Sequence, residues 1–67
     1  MMTAIEIGNR LRDLRGKTPA IEVAEAIGIS RSALANYECG IRIPRDEIKE
    51  VIAHYYGMTV GALFFNE

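Results

Sequence analysis

Apolar residues recur along this chain at the three- and four-residue spacing of amphipathic helices, and the pattern predicts five short helices. The first three are expected at about residues 5–15, 18–27 and 31–38. Thr18 and Ser30 can cap the second and third, and Gly28 permits the left-handed backbone of a tight helix exit. The side chains expected inside are Ile7, Leu11, Leu14, Ile21, Val23, Ala24, Ile27, Leu34 and Tyr37.

The last third of the chain predicts two more helices. The fourth is expected at about residues 46–56 and carries the most regular helical stripe in the chain, which is Ile48, Val51, Ile52, Tyr55 and Tyr56. The fifth is expected at about residues 60–65, capped by Thr59, with Leu63 and one of the two phenylalanines turned inward. The predicted fold is therefore an all-α single domain over residues 1–67, built from five short helices.

The link between the second and third predicted helices is only residues 28–30. Helices joined so closely cross steeply, which is the arrangement of a helix-turn-helix unit, here at about residues 20–39. In such a unit the second helix lies in the DNA major groove and the first crosses the phosphate backbone. The order of the elements therefore points to DNA binding.

The outer face of the third helix carries side chains that can read base edges. Arg31 can pair with guanine through O6 and N7, and Asn36 can pair with adenine through N6 and N7. Ser32 can donate or accept a hydrogen bond, and Ala35 is small enough to meet a thymine methyl group. We therefore expect Arg31, Ser32, Ala35 and Asn36 to contact bases.

A family resemblance appears at these residues. The segment VAEAIGISRSALANYECGIRIP at residues 23–44 resembles the signature of the phage repressor/Cro (XRE-type) family, as do IGNRLRDLR at residues 7–15 and YYGMTVGALF at residues 55–64. The resemblance covers nearly the whole chain and implies a lambda-repressor-like helix-turn-helix domain. It also implies an ion pair between Arg15 and Glu38. One departure is Ala20, which stands where the family commonly has a glutamine that contacts DNA.

Four further residues are expected at phosphates. Lys17 and Thr18 open the helix that crosses the backbone, and Arg42 and Arg45 lie in the turn after the recognition helix. The net charge is −1, but residues 1–45 hold seven basic and five acidic residues, a balance of +2. Phosphate binding depends on local charge more than on net charge, so the composition permits DNA binding.

Cysteine content, hydrophobic run length and the absence of catalytic motifs exclude several classes of protein. The single Cys39 excludes an internal disulfide, and no run approaches the ~18 apolar residues of a membrane span, so we expect a cytoplasmic protein. No phosphate loop, metal-binding cluster or nucleophile triad is present in the sequence, so we expect no enzyme activity, no cofactor and no small-molecule ligand.

The C-terminal region holds more large apolar groups than so small a core can bury. We expect a homodimer that reads a two-fold symmetric operator and meets its second copy through Tyr55, Gly61, Phe64 and Phe65. The predicted function is that of a DNA-binding transcriptional regulator, repressor-like, of bacterial or phage origin. Two alternatives remain at this point: an antitoxin or anti-repressor whose main partner is another protein, and an interaction module with no role on DNA.

Overall fold

The computed structural model describes residues 2–66, which form five helices and no strand. The all-α fold is thus confirmed, with boundaries close to those predicted. The helices are α1 at Ala4–Arg15, α2 at Ala20–Ile27, α3 at Arg31–Glu38, α4 at Asp46–Tyr55 and α5 at Val60–Phe64. No helix in the described range is both long and apolar enough to cross a membrane.

Three of the five helices begin at a side chain that caps free backbone N–H groups. Thr3 and Glu6 form a reciprocal capping box at the start of α1. Ser30 accepts from the backbone N–H of Ala33, and Thr59 accepts from that of Ala62, as the sequence predicted for both helices. The prediction for Thr18 is wrong, because α2 begins one residue later behind Pro19 and has no side-chain cap.

The core lies where α3 packs against α1 and α2, and where α4 and α5 close the other side. Its fully buried large side chains are Ile7, Leu11, Val23, Ile52, Leu63 and Phe64. α2 ends at Gly28, which adopts the left-handed conformation and donates its backbone N–H to Ala24 O. The turn that follows brings α3 back across the surface of α1 and α2.

Three residues expected in the buried stripes are exposed instead, and these expectations were wrong: Leu14, Ile21 and Val51. Tyr55, a stripe residue also assigned to the dimer surface, is exposed as well. At the end of α1, Arg15 rather than Leu14 turns toward α3, because its guanidinium has a buried acceptor there. The inner face of α4 is centred on Lys49, Ile52 and Ala53. A short helix has one contact line, so the outer positions of its five-residue stripe stay in solvent.

α5 is tied to α1 by a side chain that the sequence analysis left without a role. Nη1 of Arg10 donates to Ala62 O at 2.7 Å, and Nη2 donates to Asn66 Oδ1 at 2.9 Å. Carbonyl groups at the end of a helix lack intrahelical partners, and a cation that donates to them is doubly favourable there. Arg10 therefore holds the short C-terminal helix against the first one.

Candidate nucleic-acid interface

α3 has one buried face and one face open to solvent. Leu34 and Tyr37 pack into the core, as the spacing predicted. Arg31, Ser32 and Ala35 are exposed on the other side, where they line a shallow surface depression, and Asn36 is half-buried beside them. The four residues predicted to contact bases therefore share one side of α3.

α1 makes unusually close backbone contact with the end of α3. A Cβ atom placed on Gly8 would overlap Glu38 O and would lie 2.8 Å from Tyr37 O. Such separations leave no room for any side chain, so only glycine permits this approach. Gly8 thereby sets how near the last turn of α3 lies to α1.

An ion pair locks the same junction. Nε of Arg15 donates to Glu38 Oε2 at 2.8 Å and Nη2 donates to Oε1 at 3.0 Å, so the pair is bidentate. Glu38 is buried, and the Arg15 side chain is 21% exposed. The third guanidinium nitrogen of Arg15, Nη1, donates to Thr18 O at 2.9 Å. The hydrogen bond with Glu38 raises the pKa of Arg15 above its ordinary value.

A second arginine of α1 also acts on α3, and the sequence analysis did not assign it. Nη2 of Arg12 donates to the backbone oxygen of Glu38 and to Asn9 Oδ1, both at 3.1 Å. The signal available in the sequence was its spacing, because Arg12 precedes Arg15 by three residues and shares its side of α1. Together the two arginines hold the last residue of α3 through its carboxylate and its carbonyl.

The residues predicted to contact phosphates lie in two places. Lys17 is exposed and Thr18 is half-buried in the link before α2. Arg42 and Arg45 are exposed in the loop after α3. The start of that loop is not free, because the backbone N–H groups of Ile41 and Arg42 both donate to Asn36 O, at 2.9 and 3.2 Å. The backbone of Arg42 is thus held in a set position relative to α3.

The predicted dimer residues are only partly at the surface. Tyr55 is exposed, and Gly61 and Phe65 are half-buried. Phe64, however, is 0% exposed and belongs to the core, so its assignment to an intermolecular contact was wrong. Adjacent residues of a helix point about 100° apart, so Phe64 lies fully in the core while Phe65 packs at its edge and stays partly exposed.

Lys49 is a buried cation that the sequence analysis did not single out. Its ammonium lies 5.0 Å from the ring centroid of Phe65 and 5.8 Å from that of Phe64. Within residues 2–66, the nearest carboxylate is that of Asp46, whose Oδ1 is 3.8 Å from Nζ. Contact of a cation with the ring face of an aromatic residue is favourable, so Lys49 joins α4 to α5.

Comparison with protein families agrees with this geometry. The family model described as a helix-turn-helix domain matches residues 6–63, a span from the first turn of α1 into α5. Comparisons with curated proteins and with solved structures returned no match. Helix-turn-helix units bind DNA through their second helix, which here is α3. The match covers most of the chain, and the chain therefore belongs to the helix-turn-helix domain family.

Proposed function

We propose that this protein is a sequence-specific, DNA-binding transcriptional regulator of the phage repressor/Cro type, of bacterial or phage origin, which acts as a repressor by occupying an operator. The observation that carries the proposal is the exposed side of α3. Four side chains able to contact bases lie there, and the opposite side of the helix is fixed to α1 and α2. A rigid helix with a polar outer face suits insertion into the major groove.

Each residue of α3 has a distinct part in this proposal. Arg31 pairs with a guanine, Asn36 pairs with an adenine, and Ser32 forms an adaptable hydrogen bond with a base. Ala35 lets the helix approach closely enough to touch a thymine methyl group. The depression between Arg31, Ser32 and Ala35 leaves space for a base edge.

Phosphate contacts flank the base-reading helix on both sides in sequence. Lys17 and Thr18 precede α2, and Arg42 and Arg45 follow α3. Three of these are exposed cations, and they need no movement of the backbone to meet a negatively charged duplex. Such contacts set the orientation of the domain and add affinity for any sequence.

We propose further that the functional form is a homodimer. One recognition helix offers only a few contacts at ~1–3 kcal/mol each, which is too little for strong specificity. Two copies on a two-fold symmetric site double that number. The surface we assign to the second copy is formed by Tyr55, Gly61 and Phe65, where aromatic side chains remain accessible.

Selection of binding sites from random duplex DNA tests the central proposal. The purified protein should enrich a defined motif of two inverted half-sites. Recovery of unenriched DNA, or no recovery, would refute sequence-specific binding. Enrichment of a single half-site would retain DNA binding and refute the symmetric dimer on DNA.

Two matched arginine variants separate base contacts from phosphate contacts. Arg31→Ala should weaken binding to the selected site by about 1–3 kcal/mol and relax preference at one base position. Arg42→Ala should weaken all sequences alike and lower the slope of log affinity against log salt by about one. If the two variants have the same effect on the selected motif, the assignment of α3 to the groove is wrong.

Sedimentation equilibrium without DNA tests the dimer surface. We expect a dimer with micromolar affinity, because the surface is small. Phe65→Ala should dissociate this dimer. Ile41→Ala serves as the control, because it removes an exposed apolar side chain outside this surface. A monomer mass at hundreds of micromolar, or a dimer indifferent to Phe65→Ala, contradicts the proposal.

A further inference from the structure

We propose that Ile41 is a further specificity-determining residue, which contacts the C5-methyl group of a thymine at the edge of the half-site read by α3. The inference rests on the proposed DNA binding and adds a base contact outside the recognition helix. Ile41 is an apolar residue in the loop between α3 and α4, where the sequence predicted DNA contacts only for Arg42 and Arg45.

Ile41 is the most exposed of the large hydrophobic residues in the described part of the chain. Its side chain is 70% exposed, and it lies between the last turn of α3 and the exposed Arg42. Nothing in residues 2–66 uses this side chain for the core. Isolated exposed apolar residues are common on protein surfaces, so exposure alone would mean little.

What distinguishes Ile41 is that its backbone is held beside a residue proposed to read a base. The N–H groups of Ile41 and Arg42 both donate to Asn36 O, so the loop is an extension of the last turn of α3. Gly40 makes the turn with a φ of +74°, and a Cβ there would lie 3.0 Å from Ile5 Cα. The loop is therefore confined between α3 and the start of α1.

The thymine methyl group fits this position chemically. It is the apolar group that base edges present in the major groove, and apolar side chains are its usual partners. Ile41 lies next to Asn36 on one side and to the phosphate candidate Arg42 on the other. If α3 lies in the major groove, a side chain between these two residues is placed at the edge of that groove. Because the backbone of Ile41 is already fixed, little conformational entropy is lost when its side chain contacts DNA.

Replacing thymine by uracil in the selected operator tests the contact, because this change removes only the methyl group. Each thymine is replaced in turn, and affinity is measured for the wild type and for Ile41→Ala. We expect one position where uracil weakens wild-type binding about fourfold, the value for one methyl group leaving an apolar contact. Ile41→Ala should weaken binding to the thymine operator and should show no further loss with uracil at that position.

Ile5→Ala is the matched control, since Ile5 is 65% exposed, lies against Gly40 and belongs to α1 rather than to the loop after α3. This variant should keep the full uracil effect. Independent losses from Ile41→Ala and from uracil at every thymine would overturn the inference and leave the proposed function intact. Equal weakening of all sequences by Ile41→Ala would overturn it as well, because that result indicates a contact with the sugar-phosphate backbone. Failure to enrich any DNA motif is a different result, which refutes the proposed function itself.

Discussion

Replacement of Glu38 by glutamine tests how the position of α3 is maintained. The change keeps the size of the side chain and removes its charge. The amide oxygen can still accept one hydrogen bond from Arg15, but its nitrogen then faces a second guanidinium donor. One of the two bonds, at 2.8 and 3.0 Å, is therefore lost, and the arginine loses its counter-ion.

The size of the effect follows from burial. Removing one partner of a fully buried ion pair costs about 3–5 kcal/mol. The Arg15 side chain is 21% exposed and keeps its bond to Thr18 O, so water and that carbonyl compensate part of the loss. We expect a decrease of about 2–3 kcal/mol in the free energy of unfolding. For a domain of this size that corresponds to a fall of roughly 10–20 °C in melting temperature.

Thermal and urea unfolding, followed by circular dichroism, measure the loss. Glu25→Gln is the control, since it makes the same change at an exposed carboxylate of α2 and should cost less than about 0.5 kcal/mol. A double-mutant cycle with Arg15→Met should give a coupling energy of about 1 kcal/mol or more. Equal losses for Glu38→Gln and Glu25→Gln, or additive effects in the cycle, would refute the stabilising role of the pair.

Three further predictions concern the rest of the domain. Gly8→Ala should lower the free energy of unfolding of the domain by at least about 1–3 kcal/mol, because the added Cβ clashes with the backbone of α3. An unchanged midpoint of urea unfolding would contradict the close approach of α1 and α3. Tyr56→Phe should raise the melting temperature by a few degrees, because the Tyr56 hydroxyl is buried without a hydrogen-bond partner in residues 2–66. Burial also raises the Tyr56 pKa above 10, so the wild-type protein loses stability as pH rises past 10 and the advantage of Tyr56→Phe should grow there. A melting temperature of Tyr56→Phe below that of the wild type would count against both points. The Thr3 backbone and side chain hold the Glu6 pKa below 4.5, so the capping box should stabilise α1 above about pH 4.5 and fail as pH falls through the folded pKa. Thr3→Ala keeps the backbone N–H and removes the hydroxyl, so an NMR titration should show the Glu6 midpoint move part of the way upward; an unmoved midpoint would exclude the Thr3 side chain as a cause.

The helices and their order follow from local patterns in the sequence. Apolar spacing placed all five, since a helix of 3.6 residues per turn repeats its buried positions locally. Ser30, Thr59 and Gly28 marked helix ends because caps and left-handed exits depend on a residue and its nearest neighbours. The short link at residues 28–30 then indicated the helix-turn-helix unit, and the outer positions of α3 followed from its register.

Which polar and aromatic side chains are buried, and what they contact, depends on how the helices pack against one another. Lys49 is buried against two phenylalanine rings, and Phe64 rather than Phe65 lies in the core. Arg10 and Arg12 bond to carbonyl groups 52 and 26 residues away. Local spacing shows which side of a helix a residue occupies, but it does not show which element will pack there. Those contacts depend on the distance and direction between helices far apart in the chain, and these are set when the whole core packs together.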